Sequence, residues 1–332
     1  MMKKRIELPL IEPIYSTYQY QGPAGAILFT NPSIRNWYLE QILMLSCTKK
    51  FLNGYTTPEV TVVNSSWTVN PYLERQWYSM KYLGGYTQYV IKNLLDDGFY
   101  VCFTEIDDYY MQGKSFYGER HFRHDGMICG YDMEDRSYWV YAYDADWVYR
   151  KFKMPQSCFE EGRRSMFREN FFGNICGIKP KATEVTFSLD EAFSAIDRYF
   201  DSTFEKYPES DTAPALGIIV HEYIAKYLDK LADGTVPYER TDWRIFRLIF
   251  EHKRLMHERL GRIEKELSIA PHYSVEYEPL VKEGNHLRML YASHRMKRRD
   301  TVLPVLKKRL LAIRESEAHI LGELRDFYER NR

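Results

Sequence analysis

The chain has 332 residues, long enough for two domains of ordinary size, and its 45% hydrophobic and 28% charged residues are those of a globular protein. Basic and acidic residues balance at 46 each, so no global basic field suggests nucleic acid or an anionic membrane as partner. No apolar run approaches the roughly 20 residues of a membrane span.

The opening segment, MMKKRIELPLIEPIY, has basic residues but no apolar h-region, so an export signal is not expected. GAILFT (25–30) reads as a short strand. NPSIRNWYLEQILMLSC (31–47) reads as a helix, with Asn31 as cap and Pro32 at the first helical position. EVTVVN (59–64) is a strand by its β-branched content, and TQYVIKNLLDDG (87–98) is an amphipathic helix closed by Gly98. FYVCFTEIDDYYM (99–111) is a strand leading into a loop. Two further strands, 124–131 and 137–144, are joined by DMEDRS, with Asp132 as a turn residue.

Near residue 185 the character changes. SLDE (188–191) is a capping box, and helices are expected over 188–206, 213–231, 242–267, 272–295 and 300–330. In the last, Leu306, Leu310, Ile313, Ala318 and Leu321 form an apolar stripe. The predicted fold is α+β: residues 1–180 form a domain with an antiparallel sheet, and 181–332 form a mainly helical domain. His252 and His257 are five apart, do not share a helix face and read as solvated. The basic run RMKRRD (295–300) is a solvated helix junction or a dock for an acidic carrier-protein helix or a phosphate. No Walker loop, GxGxxG or metal triad is found, so neither a nucleotide nor a metal cofactor is expected.

The stretch HFRHDGMICGYDMEDRSYWVYAYDAD (121–146) carries the candidate chemistry. A histidine opening one strand and a carboxylate ending the next are brought side by side by a hairpin. His124 and Asp144 fit that arrangement as general base and orienter. In a papain-like site the nucleophile opens a helix that packs on the same sheet. The helix over 31–47 has no cysteine at its start. Ser33 stands there instead, and Cys47 stands at the opposite end, where the helix dipole disfavours a thiolate. The five cysteines are scattered, with no CxxC pair; a reduced, cytoplasmic protein is expected.

The order FYVCFTEIDDYYM, HFRHDGMICGYD, YWVYAYD and a helical tail resembles the butirosin-biosynthesis acyltransferase-like family, over residues 25–180 and loosely beyond. The resemblance implies a papain-like first domain and a role beside nonribosomal-peptide or polyketide assembly lines. It implies transfer of an acyl chain from a carrier-protein thioester to an amine, with His124 as base and Asp144 as its orienter. The partners would be an acyl or peptidyl carrier protein, whose phosphopantetheine arm is substrate rather than cofactor, and a small amine. The family's cysteine near the helix start is absent, which leaves Cys47 and Ser33 as nucleophile candidates. Two readings stay open: an acyltransferase, or a catalytically inactive scaffold that binds a carrier protein, peptide or partner subunit. A homodimer through the C-terminal helices is a third arrangement.

Overall fold

The structure is a computed structural model and describes residues 4–54, 56–203 and 213–331. In chain order the strands are β1 (Arg5–Glu7), β2 (Leu45–Cys47), β3 (Thr61–Val62), β4 (Leu73–Ser79), β5 (Tyr100–Asp107), β6 (Arg123–Asp132), β7 (Ser137–Tyr143), β8 (Tyr149–Pro155), β9 (Asn174–Pro180) and β10 (Ala215–Leu216). The helices are α1 (Gly22–Leu28), α2 (Ile34–Gln41), α3 (Met80–Leu83), α4 (Thr87–Asp96), α5 (Gln156–Arg168), α6 (Leu189–Phe200), α7 (Val220–Ala232), α8 (Arg244–Glu266), α9 (Tyr273–Lys297) and α10 (Leu303–Asn331). The protein is α+β, with an antiparallel sheet and a helical C-terminal part. Among the described residues no helix is long and apolar enough to cross a membrane.

The chain divides into two compact units. One holds residues 1–34 and 65–184, the other 35–64 and 185–332. A simple cut at 180 therefore misses one segment: residues 35–64 belong with the helices. Buried polar side chains explain why. Arg259 of α8 donates to the Leu39 and Ile42 carbonyls, satisfying acceptors that the end of α2 leaves open. His252 donates to the Leu43 carbonyl at 2.8 Å, and Glu40 accepts from the Ser188 amide at 2.7 Å.

The first unit is built on a sheet ordered β4–β9–β5–β6–β7–β8, with β1 added to β6; every pairing is antiparallel. The β6–β7 hairpin closes with Asp132 opposite Ser137, and the Asp132 carboxylate accepts from the Glu134 amide at 3.0 Å. This is the turn chemistry that the sequence carries. Helices α4 and α5 cover one face, burying Leu94, Leu95 and Phe159 against Val101, Phe103 and Val140. Phe103 and Phe159 meet edge to face at 5.4 Å. Between Phe103 and Ile106 the β5–β6 register shifts through a bulge, where Glu105 takes a φ of +59°. The bulge sets Ile106 opposite His124 and Asp107 opposite Arg123.

Several elements differ from expectation: the helix expected over 213–231 begins only at Val220, after the strand Ala215–Leu216, and the strand expected over 59–64 shortens to Thr61–Val62. GAILFT is not a strand; it lies mostly in α1, all seven residues of which are buried. A short apolar run buried all round has no period to separate strand from helix. The helix expected over 31–47 ends at Gln41, because Leu45 and Ser46 pair with Val62 and Thr61 of β3, and Cys47 and Ser46 with β10.

The second unit packs α6–α10 with the small β10–β2–β3 sheet. Ser188 caps α6 as the capping box predicts, accepting from the Glu191 amide at 3.3 Å. The expected helix over 188–206 stops at Phe200, and its last three residues lie outside the described ones. In α10, Leu306, Leu310, Ile313 and Leu321 are buried as the stripe requires; Ala318 is only partly so, and Glu317 is fully buried among them. His252 is buried rather than solvated. It shares the inner side of α8 with Leu248, Leu255 and Arg259.

Candidate functional site

The site forms where β5 ends and β6 begins. Asp107 closes β5 and Asp108 starts the next turn, and both carboxylates are buried. The loop from 108 to 122 returns on itself: the Asp108 amide donates to the Phe122 carbonyl at 2.8 Å, and the Gly118 amide to the Tyr109 carbonyl at 2.9 Å. Two histidines at the end of this loop then meet two adjacent aspartates.

His124 sits with its Nδ1 2.9 Å from Asp108 Oδ2. The Asp108 side chain is 1% exposed and that of His124 is 23% exposed. A carboxylate accepts at Nδ1, so Nδ1 carries the proton and Nε2 is left as the basic nitrogen. His121 repeats the arrangement one step outward, with Nδ1 2.7 Å from Asp107 Oδ2 and a side chain 59% exposed. Asp107 also accepts from Ser165 Oγ of α5 at 2.8 Å and from the Tyr109 and Phe122 amides at 3.1 and 3.2 Å. Burial alone would raise the Asp107 carboxyl. The hydrogen bonds from His121, Ser165 and the two amides outweigh it and hold the group below the usual aspartate value. Asp125, next to His124, has one backbone bond, from the Glu105 amide at 3.3 Å, and burial raises its carboxyl.

Aromatic rings frame these groups. Tyr109 stacks on His121 at 4.4 Å, Phe122 meets His124 edge-on at 5.3 Å, and Phe116 bridges Phe122 and Trp147. Arg120 lies over both Phe116 and Phe122. Beside them opens a cleft of about 450 Å³, lined by Glu105, Asp107, His121, Phe122, Arg123 and Met166, among others. The imidazole that lines this cleft is that of His121; that of His124 lies behind Phe122, which it meets edge-on.

The structure separates the four residues singled out in the sequence. His124 is in the site. Asp144 is not its orienter. The Asp144 carboxylate turns back on its own loop, accepting from the Asp146 and Val148 amides at 2.9 Å each, and faces Arg150. The hairpin does align β6 with β7, but Asp108, at the start of the turn after β5 on the other side of β6, is the carboxylate paired with the imidazole. Ser33 is a turn residue: its Oγ donates to Asn31 Oδ1 at 3.0 Å and its amide donates to the same oxygen at 3.1 Å. Cys47 is in β2 of the other unit, fully buried, and burial pushes its thiol up to about 12 against the pull of Lys49 and Lys226. Neither has the microenvironment of a nucleophile. Cys102, Cys129 and Cys176 are buried too, and burial raises each thiol.

Asp107, Asp108 and His121 carry one sequence signal, the aspartate doublet at the end of β5 and the HFRH that leads into β6; Lys114 carries none. Adjacent antiparallel strand ends place such doublets opposite each other, which spacing within the β6–β7 hairpin does not reveal. Among the described residues, no group of three or more His, Cys, Asp and Glu side chains is placed to hold a metal ion. Compared with known proteins, the chain matches no family model, and no curated protein matches it significantly.

Proposed function

We propose that the first unit is a papain-like scaffold that carries out general-base acyl transfer, moving an acyl group from a carrier-protein thioester to a small amine without an acyl-enzyme. The observation that carries this is the His124–Asp108 pair: a partly exposed imidazole, 2.9 Å from a buried carboxylate, with Nε2 as its basic end. The amine nitrogen attacks the thioester carbonyl and forms the C–N bond while its proton passes to Nε2. The C–S bond then breaks and the imidazolium returns that proton to the departing thiolate. Such proton transfer contributes roughly 10²–10⁴-fold. The family resemblance and the aromatic frame support the choice of an acyl-carrier substrate; the absence of a helix-start cysteine is why the amine attacks directly.

The test uses an acyl-N-acetylcysteamine thioester as a mimic of the carrier arm, with a primary amine as acceptor. His124→Ala is expected to lower turnover by roughly 10²-fold or more while the far-ultraviolet circular dichroism is retained. Full activity in the folded variant sinks the reading. The burial of Cys47, Cys102, Cys129 and Cys176 favours a second reading, a non-catalytic groove for the carrier arm. Binding of the thioester with no turnover in the wild-type protein, and no cysteine labelled by it, would select that reading.

A further inference from the structure

The ammonium of Lys114 has no part in the reading above and makes no hydrogen bond of its own. Its side chain is 2% exposed, and its Nζ stands 3.7 Å from Asp108 Oδ2, too far for a hydrogen bond and close enough for an ion pair. The loop is folded to bring it there. The Met111 amide donates to the Asp108 carbonyl and the Lys114 amide to the Met111 carbonyl, each at 3.0 Å. Gly113 takes a φ of +92° between them, with the Phe152 ring where a Cβ would lie.

Lysine is almost never fully buried unless it is paired, because desolvating its charge costs several kcal/mol. Here burial drives the ammonium toward its neutral form, and Asp108 first, then Asp125 and Asp144, oppose that. Carboxylates from three elements thus act on one cation: Asp108 from the turn after β5, Asp125 from β6 and Asp144 from beyond β7. Arg150 faces Asp144, Glu105 acts on Asp125, and His124 faces Asp108. Asp108 is the only one of the three carboxylates that touches the imidazole.

We propose that Lys114 is a positioning residue of the His124 site: its ammonium, 3.7 Å from Asp108 Oδ2, offsets part of the carboxylate's charge, so that Asp108 orients the imidazole without trapping it as imidazolium. An uncompensated buried carboxylate at 2.9 Å would favour the protonated ring and remove the base. The inference rests on the reading of His124 as a base, but its test needs no substrate. In the full-length protein, the ring of His124 is followed by NMR across pH. In Lys114→Met the midpoint of that titration is expected to move to higher pH by roughly 1 unit, because a like charge that disfavours the imidazolium is removed. The acidic limb of the rate profile should move with it. In Lys114→Arg the midpoint should stay near that of the wild type. In Asp108→Asn it should move to lower pH, because the ring loses the carboxylate paired with its Nδ1. If Lys114→Met does not fold, Lys114→Gln carries the test. A midpoint unmoved in the folded Lys114 variant that lacks the charge overturns the role of Lys114. Full activity of His124→Ala, with these shifts present, would instead remove the catalytic reading and leave the coupling standing.

Discussion

The two units each contain a cluster of histidine, lysine and carboxylate, and they use it in opposite ways. In the second unit, Glu317 accepts from Lys253 Nζ at 2.6 Å and from Tyr199 at 2.9 Å, and Tyr277 donates to its other oxygen. His221 Nε2 lies 3.9 Å from the same carboxylate, and every charged group there is sealed in the helical core. In the first unit, Asp108 and Lys114 are equally buried, but the imidazole that Asp108 orients is partly exposed to solvent. Residue types alone do not make a reactive site. The difference is a route to solvent: one cluster can pass a proton to a bound molecule, and the other can only hold helices together.

The comparison breaks most visibly at Glu317. Glu317→Ala leaves Lys253 as an uncompensated buried charge and is expected to cost about 3–5 kcal/mol, read by urea denaturation of the full chain. A loss below about 1 kcal/mol would mean that the cluster is not sealed.

Acid should then attack the second unit first. Burial, aided by Lys253, lowers His221 from 6.5 to about 3 in the folded state. For Glu317, burial works upward, but Lys253 and then the two histidines overcome it, lowering the carboxyl from 4.5 to about 2. Both groups therefore bind protons more weakly in the fold than in the unfolded chain. The stability that His221 contributes is complete above about pH 6.5 and declines as the pH falls toward 3. The contribution of Glu317 is complete above about 4.5 and declines toward 2. Hydrogen exchange followed down the pH scale should show α7, α8 and α10 losing protection as the pH falls below 6.5. Protection there that is flat down to pH 4 contradicts the assignment.

The smallest expected effect is at Ser33. Removing its hydroxyl in Ser33→Ala costs about 1 kcal/mol through the lost turn bond, with turnover unchanged. A turnover loss of 10-fold or more would return Ser33 to the chemistry.

What the sequence showed of this comparison was uneven. The β6–β7 hairpin was legible because Asp132 and the strands on either side make a local signal. The helices after residue 185 were legible from their stripes. The buried cluster was not, since His252, Lys253 and Glu317 are polar letters inside amphipathic helices, and a polar letter reads as a solvated position until three-dimensional partners are known. The membership of residues 35–64 was hidden for a similar reason: it depends on Arg259, more than 200 positions away, reaching the Tyr38, Leu39 and Ile42 carbonyls. His124 was found from its place at the start of a strand. Its partner was misplaced to Asp144 because the hairpin is the nearest pairing in sequence, while the carboxylate that touches the ring, Asp108, follows directly on β5, on the other side of β6.

The most direct test is the tautomer of His124, read from long-range ¹H–¹⁵N correlations of its ring above the titration midpoint. The account predicts a neutral ring protonated at Nδ1 in the wild type and in Asp144→Asn, with that preference lost in Asp108→Asn. A ring protonated at Nε2, or one that responds to the Asp144 substitution and not to the Asp108 substitution, would contradict it.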